Sequence, residues 1–272
     1  MISRAADAPL MLLLAQLVES RCGLHYAERD LDLFAERTTT RAHDAGFEQL
    51  LDYYYLLRYD DPARIELDQL IEALVVGETY FFRERTPLKA IVETIAPVAR
   101  ARGARVWSAA CATGEEPVTL AILLEQAGLR DSVEIVASDL SERALDCARR
   151  GEYTLRAHRA LPAEGMPPWI RVRDNRPIVE ERIRTSIDWR RVNLTDAASV
   201  LALGTFDAIL CRNVLIYFSD ETVRTVATNL ARALAPDGRL LVGASESLLR
   251  FGTTFECEER GGAFLYKRGG GR

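Results

Sequence analysis

Residues 105–120, RVWSAACATGEEPVTL, constrain the fold of this chain more than any other stretch. A short apolar run ends in small residues, turns through Thr113-Gly114, and continues into a helical pattern, EEPVTLAILLEQAG. An apolar strand, a tight glycine turn and a helix start are the opening half of a βαβ unit. A dinucleotide-binding turn carries G-x-G-x-x-G and leaves its helix N-terminus open to a pyrophosphate. Here one glycine is followed by Glu115 and Glu116 in the first helical turn. The helix dipole accommodates carboxylates there, whereas they repel a phosphate in the same place. Either the glutamates only cap the helix, or they face a cationic ligand.

The flanking chain extends this unit in both directions. Residues 1–76 read as helices broken by short polar segments: LMLLLAQLVESRCG, DLDLFAERTTTRAHDAG, FEQLLDYYYLLRYD and ARIELDQLIEALVV. They predict a small helical bundle. Arg37 and Arg41 are four residues apart and share one helix face. That face is either solvated or a docking surface for an acidic helix. Residues 77–104 are expected to join two domains. In GETYFFRE, Phe81 and Phe82 are expected to pack between the domains while Arg83 points into the cleft. Thr86 as N-cap and Pro87 at the first helical position predict a linker helix to about residue 101.

Beyond the glycine turn, residues 105–272 alternate strands with helices. VEIVAS is a strand with Asp139 at its carboxyl end, 25 residues beyond Gly114. An acidic residue there commonly binds ribose hydroxyls. Residues 154–190 read as an inserted β-subdomain, in which RPIVEERI and RTSIDWRRVN form short antiparallel strands. Asn193 ends the next core strand, and TFDAILCRNVLIYF supplies a fourth, with Cys211 and Arg212 where it emerges. GRLLVGAS is another strand, and FECEERGGAFLYKR an antiparallel pair. The fold class is α/β, a mostly parallel Rossmann-like sheet behind an all-α N-terminal domain. Ligands of such sheets bind outside the carboxyl ends of the strands, where Gly114, Asp139, Asn193 and Arg212 fall.

Composition excludes several function classes. A net charge of −5 speaks against a general nucleic-acid binder. No run approaches the ~20 apolar residues of a membrane span, and residues 10–17 are too short for a signal peptide. The five cysteines are scattered without a C-x-x-C pair and the three histidines are dispersed. No zinc site or disulfide framework is expected, and a cytoplasmic protein is.

With ETYFFRE, VWSAACATGEEPVTLAI, ASDLSERALDCARRGEY, VNL, FDAILCRNVLIYF and LAPDGRLLVGASESL in this order, the chain resembles the CheR-type chemotaxis receptor methyltransferases over nearly its whole length. The resemblance implies a class I S-adenosylmethionine-dependent methyltransferase domain with a small β-subdomain. It implies methyl transfer to glutamate side chains on the cytoplasmic helices of chemoreceptors, leaving S-adenosylhomocysteine. Thr79, Arg83, Glu116, Asp139, Asn193, Leu194, Cys211 and Arg212 match the family's cofactor-contacting positions, and Tyr217 matches a tyrosine near the methyl acceptor. Arg83 and Tyr217 would flank the transferred methyl. The implied protein is a monomer with no bound metal. Two departures stand out: Gly77 where the family often has Asn, and no glycines at 172–177, where some members dock a receptor-tail peptide.

The chemistry suits so sparse a set of groups. A glutamate carboxyl, with an ordinary pKa of about 4.3, is already ionised near neutral pH. Attack on a sulfonium methyl then needs alignment and a dry site more than a base. The alternatives are methylation of a small carboxylic acid and a signalling module that binds S-adenosylmethionine without turnover.

Overall fold

The structure is a computed structural model and describes residues 8–158, 168–173 and 176–269. The chain divides into two compact units. One runs to Val76 and takes in Tyr217–Thr222, and the other comprises Gly77–Ile216 and Val223–Arg272.

The smaller unit contains α1 (Ala8–Cys22), α2 (Leu31–Asp44), α3 (Leu50–Tyr55) and α4 (Ile65–Leu74). Helix α3 runs on into a π-helical turn, Leu56–Asp60. Leu14, Val18, Phe34, Tyr53, Leu57, Leu67 and Leu70 recur at helical spacing and are buried in its core. Buried Asp61 accepts hydrogen bonds from Ile65 N (2.9 Å) and Leu67 N (3.0 Å), capping the first turn of α4.

The larger unit runs α5 (Arg85–Arg102), β1 (Ala104–Ala109), α6 (Glu115–Gln126), β2 (Val133–Asp139), α7 (Glu142–Arg150), β3 (Ile170–Arg173), β4 (Arg176–Val179), α8 (Glu181–Arg184), β5 (Ile187–Arg191), α9 (Ala197–Leu201) and β6 (Phe206–Cys211). It ends with α10 (Asp220–Ala233), whose first residues group with the smaller unit, then β7 (Leu234–Val242), β8 (Phe255–Arg260) and β9 (Ala263–Arg268). Seven strands form one sheet in the order β5-β2-β1-β6-β7-β9-β8. All neighbours up to β7 are parallel, and β9 runs antiparallel to both β7 and β8. Strand order reverses between β1 and β6, so the carboxyl ends of β1, β2 and β6 open the crevice where such sheets bind ligands. Val106, Trp107, Ile135, Ala137, Ala208 and Leu210 are buried, as strands covered on both faces require.

Three sequence expectations change. The N-cap of α5 is Glu84, left-handed at φ +49°, so Thr86 and Pro87 lie inside the first turn. Phe81 and Phe82 belong to the core of the larger unit itself. Phe81 is fully buried with its ring centroid 4.8 Å from that of Tyr153, and Phe82 N donates to Thr119 Oγ1 at 3.0 Å. RTSIDWRRVN does not pair with RPIVEERI: it supplies β5, which adds parallel to β2, while β4 pairs antiparallel with β3. Residues 174–175, within the expected 172–177 loop, lie outside the described residues, as do residues 159–167 of the expected subdomain.

Candidate functional site at the carboxyl edge of the sheet

The turn after β1 is built for close packing. Gly114 sits at φ +92°, and a Cβ there would come 2.8 Å from both Ala148 Cβ and the Trp189 ring. Its neighbours Ala110 and Ala112 are also left-handed, at φ +56° and +48°. With Phe82 (+60°), Glu84 (+49°) and Asn213 (+60°), five of the six described non-glycine residues at positive φ border this edge. Each such residue stores on the order of 1–3 kcal/mol of strain, a cost that clusters at functional sites.

The two glutamates after Gly114 part company. Glu115 turns inward, 3% exposed, and accepts from Thr113 Oγ1 at 2.6 Å. Burial pushes its carboxyl up to about 7, against the opposing pull of the Thr113 hydrogen bond. Glu116 faces the crevice. Its Oε1 accepts from Ser108 Oγ and its Oε2 from Arg212 Nη1, both at 2.7 Å. Arg212 also reaches Glu84 Oε2 (2.7 Å) and the carbonyl of Arg83 (3.2 Å). Burial alone would lower the Arg212 pKa; Glu116 and Glu84 outweigh it and hold the guanidinium charged.

Asp139 ends β2 at 6% exposure, its Oδ2 accepting from Ala112 N (2.8 Å) and its Oδ1 from Ser141 N (2.9 Å). Backbone donors from both flanking loops fix its orientation. Asn193 follows β5, its Oδ1 accepting from Thr195 N and Oγ1 (3.1 and 2.8 Å), and Leu194 O accepts from Asn229 Nδ2 (3.0 Å). Thr79 and Arg83 lie in the partly buried segment before α5. Arg83 Nη1 donates to Glu78 O at 3.1 Å and its guanidinium lies 5.6 Å from the Tyr80 ring centroid. Cys211 is fully buried and offers a ligand no surface; its place in the site is to end β6 and set the direction of Arg212. Burial first, then the charges of Glu246 and Glu116, push its thiol well above the ordinary range.

Tyr217 groups with the smaller unit, where it is partly buried and its carbonyl accepts from His25 N at 2.8 Å. Arg37 and Arg41 are committed inside that same unit. Arg41 forms a two-point pair with Glu66, which also accepts from Tyr53 Oη at 2.7 Å, and Arg37 Nη1 donates to Leu74 O at 3.0 Å. They tie helices together instead of forming a free docking pair. Gly77 is exposed, and a Cβ there would meet nothing within 4 Å, so the position has room for a longer side chain.

Sequence reasoning missed Glu84 and Asn213. Glu84 stands beside Arg83 in FFRE and was legible only as part of a motif. Asn213 follows Arg212, but nothing in the letters announces its left-handed backbone.

The crevice suits a cation. Glu84 and Glu116 set two carboxylates against the one guanidinium of Arg212, a formal surplus of one negative charge in this cluster. Arg212 Nε is buried without a hydrogen-bond partner among the described residues. A sheet of this order, with its last strand antiparallel and an acidic residue closing β2, is that of class I S-adenosylmethionine-dependent methyltransferases. The family model described as CheR methyltransferase, SAM binding domain, matches residues 77–262. The chain belongs to the CheR methyltransferase family, and its cofactor is S-adenosylmethionine.

Chemotaxis protein methyltransferase 1 of Pseudomonas aeruginosa is 30% identical, covering 92% of this chain and 94% of its own. Chemotaxis protein methyltransferase 2 of Vibrio cholerae is 36% identical, covering 76% and 74%. The crystal structure of magnesium protoporphyrin IX methyltransferase from Synechocystis PCC 6803 with bound SAM covers 84% of this chain and 94% of that one, at 17% identity and a TM-score of 0.39. Strand order and the family match define the fold. No helix among the described residues is long and apolar enough to cross a membrane.

Proposed function

We propose that this methyltransferase esterifies glutamate side chains on the cytoplasmic helices of chemoreceptors, acting as a cytoplasmic monomer and releasing S-adenosylhomocysteine. The observation that carries the reading is the lack of a poised base at the described carboxyl edge. Cys111 and Cys211 are buried with thiols pushed well above their ordinary range. Tyr153 is buried and pushed up likewise, and Glu115, brought up to about 7, turns away from the crevice. An acceptor that arrives already ionised needs none of them. A glutamate carboxylate is such an acceptor, and the relatives' names place their activity in chemotaxis.

The bound cofactor supplies the methyl group as a sulfonium. In this reading Asp139 takes the ribose hydroxyls, and Glu116, held by Ser108 and Arg212, faces the amino group. Arg83 exchanges its Glu78 carbonyl for the cofactor carboxylate, which a guanidinium binds in two-point fashion. Thr79, Asn193 and Leu194 complete the cofactor pocket, with Cys211 behind Arg212, and Tyr217 aligns the incoming carboxylate. The charge surplus attracts a net positive cofactor over its neutral product. Lacking the glycine-rich loop, the protein methylates receptors without a tail-docking peptide.

Transfer of tritiated methyl to receptor fragments tests the reading. Base-labile counts in protein are expected. Counts only in small acids, or cofactor binding without transfer, would replace it.

A further inference from the structure

Glu246 is a buried carboxylate, 9% exposed, in the turn after β7. Four backbone N–H groups converge on it. Oε2 accepts from Gly243 N and Asn213 N, both at 2.7 Å, and Oε1 from Leu215 N at 2.8 Å and Ile216 N at 3.3 Å. Three of these donors lie on the loop leaving β6, the fourth on the turn leaving β7. Asp139 in the cofactor pocket takes backbone N–H groups from two loops in the same manner, and no arginine or lysine is paired with Glu246 among the described contacts.

The loop it holds would not keep this path unaided. Asn213 is left-handed at φ +60°. Residues 213–216 leave the sheet without strand partners, save for the short turn Leu215–Tyr217. Ionised carboxylates accept several N–H bonds, and charge-assisted bonds are the strong ones. The space is closed as well: a Cβ on Gly243 would lie 2.7 Å from both Glu246 Oε2 and Asn213 Nδ2. The carboxylate and the bare glycine together form a clamp across the exits of two parallel strands.

We propose that Glu246 is a positioning residue for methyl transfer. It fixes the loop that begins at Arg212, on the cofactor side, and continues through Ile216 into Tyr217, on the acceptor side. It touches no reacting atom and acts through the backbone it orders. This rests on the methyl-transfer reading given above.

The test uses the full chain and two variants that attack the clamp from opposite sides. Glu246→Gln keeps the shape but turns an NH2 group toward N–H donors, whereas Gly243→Ala pushes a methyl into the carboxylate. Hydrogen exchange reads the clamp: protection at Asn213, Leu215 and Ile216 should fall at least tenfold in both variants, with β1 and β2 unchanged. With receptor fragments, kcat should fall at least tenfold while the Kd for S-adenosylhomocysteine stays within twofold. Glu246→Asp, which keeps the charge at shorter reach, should recover part of that kcat. Unchanged exchange at 213–216 would overturn the clamp. Lost protection with wild-type kcat, or equal losses in kcat, product affinity and β-sheet protection, would overturn the positioning role. A wild-type protein inactive on receptor would remove the methyl-transfer reading and the positioning role with it; the exchange data would then decide the clamp alone.

Discussion

Arg212 and Glu116, 96 residues apart in sequence, meet at 2.7 Å through Nη1 and Oε2. The arginine side chain is 1% exposed. It carries the end of β6 to the start of α6, across the point where strand order reverses, and a second contact to Glu84 draws in the segment before α5. The central polar contact of the pocket is thus also a joint between three pieces of the fold.

Removing that joint should cost stability and binding together. Arg212→Met leaves Glu84 and Glu116 facing each other without their cation, and breaking a buried pair from one side costs roughly 3–5 kcal/mol. Adding Glu84→Gln and Glu116→Gln should restore much of the melting temperature but not the affinity for S-adenosylhomocysteine. Calorimetry and thermal melts separate the two. A single variant that melts like wild type would mean the pair is not the joint described.

Glu115 should make stability depend on pH. Its carboxyl is raised from the ordinary 4.5 to about 7 by burial, so the folded state holds its proton more tightly than the unfolded chain does. The contribution is fully present below about 4.5 and is lost as pH rises through about 7. Its size is on the order of 3 kcal/mol. Glu115→Gln removes the titration, so the melting-temperature difference, variant minus wild type, should grow from pH 5 to pH 8. A difference that stays flat over that range would show that Glu115 does not carry a raised pKa.

The arginines of α2 should behave as struts. Arg41→Ala takes the cation from Glu66 and leaves it the hydrogen bond from Tyr53 Oη; because Arg41 keeps a quarter of its surface, the loss should be about 1 kcal/mol. Helix α2 and helix α4 should then lose hydrogen-exchange protection together, with the apparent KM for receptor following only as far as that unfolding does. A raised KM with unchanged protection would return Arg41 to the docking role.

The parts of the site that were legible in the sequence are those whose side chains sit at strand ends. Asp139 and Arg212 follow apolar runs that can only be buried strands, and a residue at such an exit points into the crevice by geometry. What stayed hidden depends on the third dimension. Glu115 and Glu116 are adjacent letters, and only the helical rotation between them turns one inward and the other to Arg212. Arg37 and Arg41 share a face, but the letters do not say that Glu66 and Leu74 lie against it. Glu246 reads as one more polar residue in a turn, since backbone amides leave no trace in sequence. RTSIDWRRVN was misplaced because a short, half-polar strand looks the same on a sheet edge as in a hairpin.

Asp139→Ala should weaken S-adenosylhomocysteine by a few kcal/mol, since charge-assisted hydrogen bonds contribute roughly 1.5–3 each. The carboxylate also accepts Ala112 N and Ser141 N, so some loss of stability should accompany it. Asp139→Asn separates the effects. It keeps an acceptor for one backbone N–H and loses the charge, so affinity should fall more than melting temperature. An unchanged dissociation constant in both variants would end the ribose assignment.

Tyr217 offers a hydroxyl whose role a single atom can test. Its backbone is tied to His25 N at 2.8 Å, an interaction a phenylalanine keeps, and its ring is partly buried. Tyr217→Phe therefore preserves chain path and packing and removes one donor. If the hydroxyl aligns the incoming carboxylate, kcat should fall by at least about tenfold, roughly 1.4 kcal/mol of transition-state stabilisation. The Kd for S-adenosylhomocysteine and the melting temperature should stay at wild-type values. Tyr217→Ala should lower the melting temperature as well, because it also removes the ring. If Tyr217→Phe turned over like wild type while Tyr217→Ala melted early, the residue would be a packing aromatic, and acceptor alignment would have to come from elsewhere on the loop.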